Sequence, residues 1–505
     1  MANGRARLVA RTFGGLLRTE AADVARLHGR RAGDGRDRAE ERRARHVREA
    51  LERLGPFYIK IGQILATRPD FVPQVMIDEL EKLHDQASTL PFGALEPVLA
   101  EDLGRDWRHR FREIDTERPL GTASLAQVYR AELYDGRQVA VKIQRPGIRA
   151  DVAEDMRLLR RAARFGARRA PRFNQVVDVE AMLGVIFDAM RPELDFVLEA
   201  RNMRQARKAA REFEHLTVPR VILATPRVLV QSLAPGRSIR EADRDAFTVR
   251  EREAIGRDLL AFMYRGYFLD RTFHADPHPG NVFVAPGRKA TLIDWGMVGR
   301  IDRPMSNSIL LLLLNLAMND GAGAARAWID MGSTTEWSEV PAFAGDMASL
   351  VPQVATASLE ELNFGVTLTA VLQYSTRRGI RTSPMVSVLG KSFANIEGSI
   401  RHLCPELSLV EVFSGELSAI VTDLVREACS KEQAVRTALE VIAGGAVLSQ
   451  QLRGTARDLA HRELAFRVAV NGQGAPSGRT RRLRGAEAVL ALGALALWQR
   501  ERRRK

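Results

Sequence analysis

Hydrophobic positions along the chain follow first one period and then another. Between residues 51 and 83 apolar side chains recur at helical spacing around Tyr58, Ile61, Leu65, Val75 and Leu80, with Pro69 and Pro73 interrupting, so this stretch predicts a broken helical extension. Ahead of it, residues 1–50 are dense in Arg, Ala, Glu and Asp around the breaker Gly33-Asp34-Gly35, which predicts a charged helix, a hinge and a second helix. Pro91 and Pro97 break the helical pattern again. Near Phe111 the period changes: β-rich runs at 126–133 and 138–143 flank Tyr134-Asp135-Gly136-Arg137, and the Asp-Gly turn predicts a tight antiparallel hairpin.

Helices follow Pro146-Gly147 to about residue 212, then strands at 218–223 and 227–231, then the turn Pro235-Gly236. From Arg250 to about Val470 the pattern is helical except for one short hairpin at 281–294. The fold class that follows is α+β, in segments: a charged helical start (1–50), a helical extension (51–110), a small β-rich lobe with inserted helices (111–235) and a large α-rich lobe (236–470). A glycine-rich linker (471–480) then leads to a basic and apolar tail (481–505).

Composition narrows the function. A chain of 505 residues exceeds one ordinary core, while 45% hydrophobic and 27% charged residues exclude wholesale disorder and a polytopic membrane protein. Lys plus Arg number 76 against 62 acidic residues, a net +14, yet only eight are lysines, so each lysine merits inspection. This balance suits nucleic acid, an anionic lipid surface or a phosphorylated ligand. Six tyrosines, five tryptophans and no helix-turn-helix, ribonucleoprotein motif or zinc finger set nucleic acid aside.

Cys404 and Cys429 allow no disulfide framework and read as buried thiols in a reducing compartment. Leu16-Leu17 is followed at once by Arg18 and Glu20, so no secretory signal is expected and a cytoplasmic location is. In the tail, residues 486–498 are apolar except Glu487 and are flanked by arginines on both sides. A helix of that length reaches about 20 Å, short of a hydrocarbon layer of about 30 Å, so docking on the cytoplasmic face of an anionic membrane is expected instead of a span.

The candidate chemistry lies in His274-Ala275-Asp276-Pro277-His278-Pro279-Gly280-Asn281 and in Asp294-Trp295-Gly296. Two apolar runs after Asn281 and before Asp294 fold back about Gly287 and Arg288, which predicts pairing of 284 with 291 and of 281 with 294. The amide of Asn281 and the carboxylate of Asp294 then share one end, as a hard cation such as Mg²⁺ requires. Asp276, on a loop stiffened by prolines, is presented to the same ion or to a nucleophile. His274 and His278, flanked by prolines and without a cysteine partner, do not read as zinc ligands. Upstream, Gly121-Thr122-Ala123-Ser124-Leu125-Ala126 offers a small-residue loop and Lys142 an inward ammonium, a pair suited to clasping phosphates. A buried lysine needs a carboxylate, and Glu193 or Glu199 can supply it.

In this order the parts resemble a protein kinase, and Lys60-Ile61-Gly62-Gln63 together with the Glu193 to Glu199 segment and the 274–281 loop resembles the atypical UbiB/AarF (ADCK) kinase-like family over roughly residues 50–410. The resemblance implies ATP and Mg²⁺ as cofactors. Lys142 would contact the α and β phosphates, Glu193 would orient it with Glu199 as second candidate, and Asp276 would be the catalytic-loop aspartate. Asn281 and Asp294 would bind Mg²⁺, and Gly121, Thr122, Ala123, Ser124 and Ala126 would border the nucleotide. Ala123 and Ala126 stand where ordinary kinases place the second and third loop glycines, and Gly121-Thr122 departs from the alanines usual in the family. Trp295 replaces the more usual Phe and is expected to pack.

Lys60 and Gln63 belong to an extension that, in the family, covers the cleft against peptide substrates. The implied function is ATP hydrolysis or phosphorylation of a small lipid-related molecule, supporting isoprenoid-quinone (ubiquinone-type) biosynthesis at a membrane. Implied partners are a lipid or quinone precursor, an anionic membrane surface and quinone-biosynthesis enzymes. Two alternatives remain: a nucleotide-sensing scaffold without useful turnover, and a true protein kinase.

Overall fold

The structure is a computed structural model that describes residues 34–66, 72–83 without 81, 89–169 without 124, 194–356 and 364–428, with isolated positions before residue 16 and between 183 and 187. The chain divides into two units, Met1–Ile420 and Val421–Lys505. The second is described only to residue 428, so the linker, the tail and Cys429 lie outside the described residues.

Three helices form the extension: α1 (Asp34–Leu54), α2 (Pro56–Ala66) and α3 (Gln74–Leu80). The breaker of the sequence reading marks the start of α1, and Gly55, at φ 96°, turns the chain into α2. Phe57, Tyr58 and Ile61 on α2 are buried with Leu51, Leu80 and Leu83, and the same cluster takes in Leu125, Ile148 and Val152. The extension therefore packs onto the small-residue loop and the helix that follows the hairpin, and Tyr58 Oη donates to Asp155 at 3.4 Å.

Gly62 is a close-approach glycine. A β-carbon there would overlap Leu83 Cδ1 and come within 2.9 Å of Leu51 Cδ1. Gly62→Val is thus expected to destabilise the chain by about 1–3 kcal/mol by overpacking, measured as a lower midpoint in urea.

Next in order come α4 (Glu96–Leu103), β1 (Glu113–Ile114), β2 (Gly121–Thr122), β3 (Ala126–Glu132), β4 (Gln138–Gln144), α5 (Ile148–Arg169), α6 (Phe196–Ala209), β5 (Leu216–Thr217), β6 (Val221–Ala224) and β7 (Val228–Ser232). Pro97 opens α4 instead of breaking a helix, since a proline in the first turn removes an amide that would have no partner there. The sheet runs β1-β3-β4-β7-β6, with β2 also on β3. The predicted hairpin is present, Glu132 facing Gln138 across the turn with Gly136 at φ 79°. Leu95, Leu99, Trp107 and Phe111 share one buried core with Tyr129, Val141 and Val230 of the sheet, so residues 92–111 line its outer face. Arg227 donates from Nε and Nη2 to Asp102 Oδ1 and from its backbone N to Oδ2, with a further bond to Glu101 at 2.7 Å, and so anchors α4 to the start of β7.

The large lobe holds β8 (Arg237–Ser238), α7 (Val249–Phe268), β9 (Thr272–His274), β10 (Val282–Val284), β11 (Ala290–Leu292), β12 (Val298–Arg300), α8 (Arg303–Ala317), α9 (Gly321–Asp330), β13 (Gly332–Thr334), α10 (Val340–Thr356), α11 (Phe364–Arg377), β14 (Ile380–Thr382) and α12 (Pro384–Leu403). Two antiparallel pairs, β9 with β12 and β13 with β14, were not expected, because strands of three residues are too short to show a period. The apolar run 309–314 lies in α8, with Ile309, Leu312 and Leu313 fully buried. Among the described residues no helix is long and apolar enough to cross a membrane. Tyr267 of α7 stacks on Phe393 of α12 at 4.2 Å, and Gly256 leaves room for Leu407 and Ile400, so α12 is seated firmly on α7.

One register differs from expectation. The β10–β11 hairpin pairs 282 with 292 and 283 with 291, one residue off the predicted 284 with 291. The turn centres on Gly287 alone, at φ 67°, instead of between Gly287 and Arg288. A slip of one residue would turn a strand residue to the other face. Asp294 escapes this because it lies past the end of β11 in left-handed backbone, φ 58°.

Candidate active site

Lys142 sits in the middle of the sheet, paired with Val128 on one side and Leu229 on the other, so its backbone is fixed from both flanks. Its Nζ lies 3.0 and 2.9 Å from the two oxygens of Glu199 and 3.5 Å from Asp294 Oδ1. Glu199 is in the first turn of α6, where the helix dipole favours a carboxylate, and is 2% exposed. Asp195 caps that helix by accepting from Val197 N, and the Phe196 ring lies 5.2 Å from the ammonium. Of the two glutamates considered for this role, Glu199 holds the lysine, while Glu193 lies outside the described residues.

Asp294 has half of its side chain accessible. The Lys142 ammonium, helped by Lys60, outweighs burial and holds its carboxyl far below the usual range, and Gly296 N donates to it at 3.3 Å. Trp295 packs as expected: it is buried, donates Nε1–H to Leu292 O at 3.0 Å and meets Phe262 edge to face.

The loop before Asn281 is built around a buried imidazole. His274 Nδ1 accepts from Asp276 N at 3.1 Å, so Nε2 carries the proton and donates to Ile293 O at 3.0 Å. Burial lowers its pKa, which suits this neutral bridging form. His274 thus ties the loop that carries Asp276 to the residue preceding Asp294. Asn281 adds a second tie: its Nδ2 donates to Asp276 O at 3.0 Å, and its own carbonyl accepts from Ile293 N at 2.9 Å. His278 accepts from Gly280 N and closes the short turn at Pro279–Asn281.

Asp276 has two partners that its own loop does not supply. Asn395 Nδ2 donates to its Oδ1 at 2.5 Å, and Lys391 Nζ lies 3.3 Å from the same oxygen. Burial pushes the Asp276 carboxyl up, but the charges of Lys391, then His278 and Lys60, hold it below its ordinary value. Both partners come from α12, more than a hundred residues away, and no local motif marked them. Lys391 is nevertheless one of the eight lysines.

The remaining expected residues fall into place around these. Gly121 and Thr122 form β2 against Val128 and Gln127 of β3, and Ala123 N donates to Ala126 O at 2.8 Å. Gly121 has no positive φ and open space beside it, so its backbone does not demand a glycine. Ser124 lies outside the described residues. Lys60 on α2 acts on both Asp276 and Asp294 through its charge, whereas Gln63 turns back and donates to Leu83 O at 3.1 Å. Among the described residues no group of three His, Cys, Asp or Glu is placed for a metal. The donor set on offer is Asp294 carboxylate and Asn281 amide oxygen, the latter freed because Nδ2 is engaged elsewhere. Those are donors fit for Mg²⁺, which is held by few protein oxygens and completed by phosphate.

A lysine–glutamate pair between a small sheet and its helix, an aspartate and asparagine on a loop, and an aspartate at the end of the next hairpin together define a protein-kinase-like fold. The chain belongs to the ABC1 atypical kinase-like family, whose domain it matches over residues 82–327. It is 32% identical over 385 residues to a probable protein kinase UbiB of Azotobacter vinelandii, covering 74% of this chain and 70% of that one. A Clostridium pasteurianum protein named for the hydrogenase 1 5′ region is 30% identical over 369 residues, covering 73% and 69%. Among solved structures, Rv3197 of Mycobacterium tuberculosis, in complex with erythromycin, is 24% identical with a TM-score of 0.46, covering 69% of this chain and 90% of that one.

Proposed function

We propose that the chain is a Mg²⁺-dependent phosphoryl-transfer enzyme that hydrolyses ATP or phosphorylates a small lipid-related molecule, in support of isoprenoid-quinone synthesis at a membrane. The observation that carries the reading is the convergence of Lys142, Glu199 and Asp294 within 3.5 Å contacts, opposite a loop that presents Asp276 and Asn281. Lys142, kept charged by Glu199, neutralises the nucleotide phosphates. A Mg²⁺ ion on Asn281 and Asp294 would supply further charge neutralisation on the phosphates. Asp276 orients the attacking hydroxyl or water and takes its proton.

The UbiB name of the relatives supports the quinone pathway, and the packing of α2 on Leu125 with Met297 beside it supports a cleft closed to peptides. The basic tail would bring this site to anionic lipid. The test is phosphate release from MgATP by the purified chain, with and without anionic liposomes and quinone precursors. Release that stops when the divalent ion is chelated is the expected result. Wild-type protein that releases nothing above buffer in every arm, or that labels generic protein substrates freely, overturns the reading.

A further inference from the structure

The loop that carries Asp276 hangs from a helix that lies beyond the end of the family match at residue 327. Four side chains of α12, at positions 391, 392, 395 and 399, fall on one helical face. Ser392 Oγ donates to His274 O at 2.6 Å, and Ser399 Oγ shares its one proton between Pro277 O at 2.8 Å and Asn395 O at 2.7 Å. Asn395 and Lys391 take the Asp276 side chain between them. The backbone on either side of Asp276 and its carboxylate are thus held from the same surface. That surface is itself rigid: Ser392 also meets Tyr267 Oη at 2.8 Å, and both serines are buried.

The arrangement is selective about which oxygen it uses. Asn395 and Lys391 both reach Oδ1. Among the described residues no donor bonds Oδ2, which is left to accept a proton. A partly buried aspartate that only needed its charge balanced would gain most by receiving the amide and the ammonium on different oxygens. Placing both on one oxygen fixes the carboxylate's rotation and aims the other.

We propose that Lys391 and Asn395 are positioning residues for phosphoryl transfer, which clamp Asp276 through Oδ1 so that Oδ2 meets the nucleophile. The catalytic unit therefore extends through α12, past the domain that family comparison delimits. This inference rests on the phosphoryl-transfer reading above, and the controls separate the two.

The experiment compares full-length wild type with Lys391→Met, Lys391→Arg, Asn395→Ala and Asp276→Asn, following phosphate release and, separately, MgATP affinity by fluorescence titration. Lys391→Met and Asn395→Ala are expected to lower kcat about ten- to a hundredfold, the scale on which a misaimed catalytic group costs rate. Nucleotide affinity should stay within about twofold, because neither residue touches the Lys142 side of the cleft. Lys391→Arg keeps the charge and should recover release to within about fivefold of wild type. Asn395→Ala carries the same test if Lys391→Met fails to fold. Wild-type turnover in both Lys391→Met and Asn395→Ala overturns the proposal while leaving the reading intact, provided Asp276→Asn is inactive. Equal loss of rate and nucleotide affinity in the methionine and arginine chains also overturns it, by marking the residues as structural support. Unchanged turnover in Asp276→Asn instead overturns the reading beneath.

Discussion

Asp276→Asn is expected to lower phosphate release about a hundred- to ten-thousandfold, the range that a positioned general base contributes, with little change in MgATP affinity. The amide is nearly the shape of the carboxylate, and the side chain is partly buried between Asn395 and Lys391, so the loop geometry should survive. What the substitution removes is proton acceptance. The carboxyl of Asp276 lies below its ordinary pKa, so it is ionised at neutral pH and ready as a base, and an amide has no such state. A stopped assay for inorganic phosphate, run beside a nucleotide-binding titration on the same protein, checks both halves. Loss of binding along with rate would mean that Asp276 serves the ion instead of the nucleophile. Unchanged rate would remove it from the mechanism.

Much of this site was legible because its parts are local. The two ends of the 281–294 hairpin, the lysine in a predicted strand and the proline-stiffened loop each left a spacing that can be read one segment at a time. Where the reading failed, physics explains the failure. The hairpin register slipped by one because an apolar run of three residues on each side pairs almost as well in either frame, and only the turn at Gly287 decides. Asp294 kept its role because left-handed backbone, not the strand period, aims it. The choice between Glu193 and Glu199 could not be made from spacing alone. It depends on where α6 starts, which Asp195 sets by capping Val197 N and so places Glu199 in the first turn.

Lys391 and Asn395 were missed for a different reason. Contacts between a loop and a distant helix leave no period and no fixed offset, so an ammonium at the right place in space looks like any polar position on an amphipathic helix. Lysine scarcity was the one available signal. Of the eight lysines, Lys60, Lys142 and Lys391 all act on the cleft carboxylates, in a chain whose other positive charge is overwhelmingly guanidinium. A compact ammonium on a flexible stem can approach a carboxylate as a point charge in a crowded site, where a planar guanidinium would demand a matching fork.

Lys142→Met should show a second large effect, on both stability and turnover. The substitution leaves the Glu199 carboxylate 2% exposed without the ammonium that contacts both of its oxygens. Breaking a buried pair from one side costs about 3–5 kcal/mol, since the remaining carboxylate loses the cation that met both of its oxygens. Urea unfolding at neutral pH should therefore show a markedly lower midpoint, and lowering the pH should recover part of the difference as Glu199 is protonated. The double substitution Lys142→Met/Glu199→Leu removes both charges and should return most of the stability, because a satisfied pair and an apolar pair of similar volume differ little. Turnover should stay lost in both chains, because both lack the ammonium proposed to meet the phosphates. Stability restored with activity still absent would separate the structural from the catalytic work of Lys142, while a double variant that hydrolyses ATP at the wild-type rate would remove Lys142 from phosphate binding altogether.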